Sequence, residues 1–117
     1  MDLETLRNYC LAKPGTSEDF PFGEETLVFK VGSKAFLLTD VDTVETINLK
    51  CDPEKAIELR ESYEDIIPGY HMNKKHWNTV SLKGRLPDKL VYELIDHSYE
   101  MVMKGMSKAD QLKIRNE

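Results

Sequence analysis

The sequence is poor in cysteine and has neither a long apolar run nor an apolar N-terminus. Cys10 and Cys51 are far apart and form no Cys-x-x-Cys pair, which predicts two reduced, mostly buried thiols. No stretch of about 18 apolar residues is present, so we expect no membrane span and no membrane partner. Residues 1–5 are acidic and unlike a secretory signal, which predicts a cytoplasmic location.

The motifs of common enzymes are also missing. The chain has no GxSxG, Walker A, GxGxxG or HExxH sequence. His71 and His76 are five residues apart, one more than the spacing that stacks two ligands on a helix face. No carboxylate or cysteine near them completes a metal site. We therefore expect no metal and no cofactor, and a binding protein is favoured over an enzyme.

Length and composition indicate one soluble domain that spans residues 1–117. The chain is 40% hydrophobic and 32% charged, which is typical of a globular protein. Its formal net charge of −5 argues against general coating by nucleic acid, although a local basic patch is compatible with it.

Alternating apolar residues predict an antiparallel meander of three strands at 26–31, 34–39 and 44–50, with a Gly32-Ser33 hairpin turn. A further strand is expected at 77–82, whereas 16–25 is expected to be a loop. The following strand residues are predicted to be largely buried: Leu27, Phe29, Val31, Phe36, Leu38, Ile47 and Leu49. Within the loop, Phe20 and Phe22 are predicted to anchor it on the core.

Helix starts are marked by Asp2, by Asp52 with Pro53, by Pro87 and by Ser107. No βαβ unit is evident, so the predicted class is α+β, an antiparallel sheet with helices packed on one face. His97 is expected on the surface of the long helix that follows Pro87.

The most unusual segment is residues 66–87, which contain four cations and no acid, while the rest of the chain is strongly acidic. It also holds two of the three histidines and the single tryptophan, Trp77, which we expect in the core. Cations in two turns of one segment suit contacts with phosphate groups. The predicted nucleic-acid-binding residues are His71, Asn73, Lys74, Lys75, His76, Asn78, Lys83 and Arg85.

A different class of function is compatible with the same segment. It could serve a protein-interaction or small-anion-binding module with no role in nucleic-acid binding. Salt-sensitive binding of DNA would separate the two hypotheses, because only phosphate contacts along a polyanion produce it.

Residues 68–80, which read PGYHMNKKHWNTV, carry a resemblance to the MmcQ/YjbR family. Shorter matches support it along nearly the whole chain, at Pro14-Gly15, 20–23, 28–31, 49–51, 86–88 and Ser98-Tyr99. The resemblance implies a CyaY-like fold and a DNA-binding role through two β-wings. It implies no catalytic residue and no iron site.

Overall fold

A single six-stranded sheet organises the chain in the computed structural model, which describes residues 1–69 and 72–116. The strands are β1 (Thr16–Asp19), β2 (Thr26–Val31), β3 (Lys34–Asp40), β4 (Thr46–Lys50), β5 (Ile66–Pro68) and β6 (Trp77–Ser81). They lie in the order β1-β2-β3-β4-β6-β5, and every neighbouring pair is antiparallel. The predicted meander is therefore confirmed.

The described residues also form four helices: α1 (Leu3–Leu11), α2 (Pro53–Ser62), α3 (Asp88–Lys104) and α4 (Lys108–Arg115). Side-chain caps begin three of them, as predicted. The Asp2 carboxylate accepts the N–H of Thr5, Asp52 accepts those of the first turn of α2, and the Ser107 hydroxyl accepts that of Asp110. None of the described helices is both long and apolar enough to cross a membrane.

The main core lies between the sheet and helix α3, which packs on β2, β3 and β4. Strand β4 shows the alternation behind this arrangement, because Ile47 and Leu49 are buried while the residues between and beside them are partly exposed. All seven strand residues predicted to be buried are buried. The fold class, an antiparallel sheet with helices on one face, is confirmed, and the CyaY-like likeness stays a prediction.

Two edge strands were not predicted. Strand β1 lies within the expected loop at 16–25, and its sequence, Thr-Ser-Glu-Asp, has no apolar residue to give a period of two. Strand β5 has only three residues and ends in Pro68, which lacks the N–H that an inner strand must donate. Both pair on one side only, so neither requires the apolar pattern of an inner strand.

The predicted positions of three side chains are wrong. Phe20 and Phe22 are 46% and 74% exposed and do not anchor the core. His97 is half-buried, and its Nε2 accepts the N–H of Asp52 at 3.1 Å. Trp77, at the first position of β6, is largely covered as expected, but it stands outside the core cluster.

Candidate nucleic-acid interface

The tight turn at Asn73–His76 leads into β6 and presents two lysines to solvent. The side-chain oxygen of Asn73 accepts the N–H of Lys75 at 2.9 Å, and its main-chain carbonyl accepts the N–H groups of His76 and Trp77. Lys74 and Lys75 are exposed at the tip of this turn. His71 was also predicted to bind, but it lies outside the described residues.

Arg60 of α2 holds this turn in place through side-chain hydrogen bonds. Its Nε donates to Oδ1 of Asn78 at 2.7 Å, and its Nη2 donates to the main-chain carbonyls of Trp77, at 3.3 Å, and of Lys74. Asn78 is 2% exposed. The structure therefore places Asn78 beneath the surface, as a partner of Arg60, and not among the exposed side chains of the interface.

The strand registers bring lysines from distant segments to the end of the sheet where this turn lies. Lys34 follows the β2–β3 turn, and Lys50 pairs with Trp77 at the start of β6. Lys104 ends α3 and lines a groove together with Lys50 and Trp77. We call this surface the basic end and define it by five residues: Lys34, Lys50, Lys74, Lys75 and Lys104.

No carboxylate of residues 1–69 or 72–116 forms an ion pair with any lysine of the basic end. These five charges are therefore available to an anionic ligand, which is the condition for phosphate binding.

A groove of about 460 Å³ crosses the basic end between the β5–β6 connection and the end of α3. Its lining contains two lysines, an imidazole, an amide and an indole, but no carboxylate among the described residues. The lining residues are Lys50, Asn73, His76, Trp77, Met101, Lys104 and Gly105. The lysines can bind a phosphate group, and the indole can stack on a flat ring of the same ligand.

Lys83 and Arg85 lie at the opposite end of the sheet. They follow β6, whereas Lys74 and Lys75 precede it, and the strand itself separates its first and last Cα atoms by about 13 Å. Lys83 Nζ pairs with Glu45 Oε1 at 2.9 Å, and the main-chain N–H of Arg85 donates to Asp65 Oδ2. The structure therefore does not bring the four cations of 66–87 into one patch.

Acids dominate that opposite end. The β3–β4 connection carries Asp40, Asp42 and Glu45, and Asp65 precedes β5. We call these four residues the acidic end. Because the strands run between the two ends, the five lysines lie at one end of the sheet and these four acids at the other, although Asp52 follows Lys50 at the basic end.

Lys50 and Lys104 were missed because nothing in the sequence relates two lysines separated by more than fifty residues. Only the pairing of β4 with β6 and the packing of α3 bring them together. Lys34 carried a weak signal, since it flanks the predicted hairpin turn. Among the described residues, no three His, Cys, Asp or Glu side chains are placed to hold a metal ion.

Comparison with known proteins agrees with this architecture. A sequence model of the YjbR family matches residues 11–101. The chain belongs to the YjbR family. Relatives include the uncharacterized protein YbdF of Escherichia coli O157:H7, 41% identical over 113 residues, which are 96% of this chain and 93% of YbdF. The uncharacterized protein YjbR of Escherichia coli K12 is 36% identical over 88% of each chain.

A solved YjbR-type structure is also similar to this one. The crystal structure of Deinococcus radiodurans protein DR2400 superposes with a TM-score of 0.91 and 43% identity, over 97% of this chain and 87% of that one. Four of the five lysines of the basic end fall within the YjbR match, and Lys104 lies just beyond it.

Proposed function

We propose that this YjbR-family protein binds nucleic acid through its basic end. The observation that carries the proposal is the separation of charge along the sheet, with five lysines free of ion pairs to the described carboxylates at one end. A polyanion is attracted to such a surface even when the protein as a whole is acidic, because salt screens charges beyond about 10 Å.

Two turns project at this end and form its contact edges. The β2–β3 turn carries Lys34, and the turn before β6 carries Lys74 and Lys75. Lys50 and Lys104 lie between them along the groove. The arrangement supports phosphate contacts from both edges, with Asn78 and Arg60 as positioning residues below the second turn.

The test is a titration of labelled DNA at several salt concentrations with wild type and two double variants. Lys74→Ala/Lys75→Ala removes two positive charges from the basic end, and Lys83→Ala/Arg85→Ala removes two positive charges that lie beside the acidic end. We expect the first variant to weaken binding and to reduce the salt slope by about 0.9 for each phosphate that it no longer neutralises. The second should bind like wild type.

The two variants have the same net charge, so a general charge effect would alter both equally. That result, or a wild type that does not bind DNA at low salt, would refute the proposal.

A small-anion site is the second candidate, because two lysines, an imidazole and an amide line the groove without any carboxylate among the described residues. Inorganic phosphate should then shift the NMR signals of His76 and Trp77 in wild type, and Lys50→Ala should abolish the shift. Saturable phosphate binding without any DNA binding would favour this candidate.

A further inference from the structure

The face of the sheet away from the helices is partly covered, although none of the described helices packs on it. Val28 and Thr79 belong to this face and are only 1% and 2% exposed. Phe22 in the β1–β2 loop and Met72 in the β5–β6 connection flank a cleft of about 440 Å³ over the middle strands. We call it the open-face cleft, with Leu38, Thr46 and Asn48 among its floor residues.

The walls of this cleft are apolar and accessible. The Phe22 ring is 74% exposed, so it has one of the least covered aromatic faces in the described part of the chain. Leu38 lies on the floor and stands outside the main core cluster. An accessible ring beside an aliphatic floor suits a flat ligand that can stack.

Polar groups on the floor and rim complement the edge of such a ligand. Oδ1 of Asn48 accepts the hydroxyl of Thr79 at 2.6 Å, which leaves the NH₂ group of Asn48 to donate. The Asp40 carboxylate at the rim can accept from a ligand. A flat ring that carries both donors and acceptors on its edge is the chemistry of a nucleobase.

The position of the cleft relative to the basic end sets the direction of a bound nucleotide. Asn48 and Lys50 lie two residues apart on the same face of β4, about 7 Å from each other. Asp40 lies on the other side of the cleft, where it repels phosphate. A base in the cleft therefore directs its phosphate toward Lys50 and the basic end.

We propose that the open-face cleft receives an unpaired nucleobase, so that this protein prefers single-stranded nucleic acid to duplex. This inference rests on the proposed function of the basic end. A base within a duplex is stacked on both faces and cannot reach Phe22 without leaving the helix, whereas a single strand offers its bases freely.

The experiment compares a labelled single strand with its own duplex at one salt concentration, using wild type, Phe22→Ala and Phe20→Ala. Phe20 is the matched control, because it is an exposed aromatic of the same loop that does not line the cleft. We expect Phe22→Ala to weaken single-strand binding by about 5- to 150-fold, the contribution of one stacked base. Duplex binding and the salt slope should not change, and Phe20→Ala should bind like wild type.

Adenosine monophosphate supplies an independent readout of the cleft. It should shift the side-chain amide signals of Asn48 and the methyl signal of Met72 in wild type but not in Phe22→Ala. Equal affinity of wild type for both forms of DNA, with no effect of adenosine monophosphate, would refute the inference and leave the proposed function standing. Failure of wild type to bind any nucleic acid, including the monophosphate, would refute both.

Discussion

Arg60 and Asn78 form the contact that joins helix α2 to the start of strand β6. Nε of Arg60 donates to Oδ1 of Asn78 at 2.7 Å in a half-buried position. The same guanidinium also donates to the carbonyl of Lys74, in the exposed turn, and to that of Trp77, the first residue of β6. A planar group with five donors in a fixed fork suits this task, which an ammonium could not perform in the same geometry.

Removal of Arg60 should therefore destabilise the protein. Arg60→Ala leaves Oδ1 of Asn78 buried without its partner, and we expect the free energy of unfolding to fall by about 1–3 kcal/mol. Chemical denaturation measures it. Arg85→Ala is the control, because Arg85 is exposed and should change stability by less than about 0.5 kcal/mol.

A double-mutant cycle with Asn78→Ala isolates the pair from the other bonds of Arg60. Residues in direct contact show coupling energies of about 0.5–3 kcal/mol, and a charged donor places this pair in the upper part of that range. A coupling energy near zero would mean that the two carbonyls, and not Asn78, hold the guanidinium.

The sequence predicts the inner part of the fold well. Strand β4 alternates between buried and partly exposed residues, strands β2 and β3 are buried over most of their length, and the helix caps at Asp2, Asp52 and Ser107 have local signatures. Edge strand β1 has no buried residue and β5 has only Ile66, so their sequences carry no comparable pattern. Hydrophobic periodicity indicates that one face of a strand is buried, so a short strand at the edge of a sheet gives no such signal.

The candidate site was predictable only in part. The exposed turn with Lys74 and Lys75 follows from its sequence, but a cluster of cations within 22 residues does not imply a cluster in space. Strand β6 separates Lys83 from Lys74 and Lys75, so Lys83 lies at the opposite end of the sheet, where it forms an ion pair with Glu45. Conversely, tertiary packing alone brings Lys50 and Lys104 together.

His97 should make the protein sensitive to mild acid. Burial lowers the pKa of His97 below its ordinary value of 6.5, and Lys55 and Lys104 lower it further, while Asp52 opposes them. Its Nε2 accepts the N–H of Asp52, which requires the neutral ring. The unfolded chain binds the proton more readily, so the contribution of His97 is complete above pH 6.5 and is lost as the pH falls through its folded pKa.

NMR titration of the imidazole should give a pKa below 6.5 for His97. The free energy of unfolding, measured across the same pH range, should fall less on acidification in His97→Gln than in wild type. The side-chain oxygen of the glutamine can accept the Asp52 N–H without titrating. A wild-type pKa above 6.5 would contradict the burial argument.

At alkaline pH, Tyr9 should control part of the stability. Its hydroxyl donates to Oδ1 of Asp96 at 2.6 Å, and Lys13 Nζ contacts the same oxygen, so α1 and α3 are joined by a charge-assisted network. Burial, followed by the hydrogen bond and the charge of Asp96, raises the pKa of Tyr9 from 10.0 to about 12. Folding thus favours the protonated hydroxyl, because a phenolate would face the carboxylate and could no longer donate.

The sign of the effect follows from that shift. Between pH 10 and about 12 the unfolded chain loses the Tyr9 proton while the folded chain keeps it, so the free energy of unfolding falls as the pH rises through this window. Tyr9→Phe cannot lose a proton there and should show a flatter decline, although it starts from a lower stability because Asp96 no longer has that donor.

Tyr92→Phe is the matched control, since its ring lies 4.3 Å from that of Tyr9 and its hydroxyl makes no hydrogen bond within the described chain. It should decline like wild type, and equal slopes for Tyr9→Phe and wild type would show that Tyr9 does not titrate with unfolding.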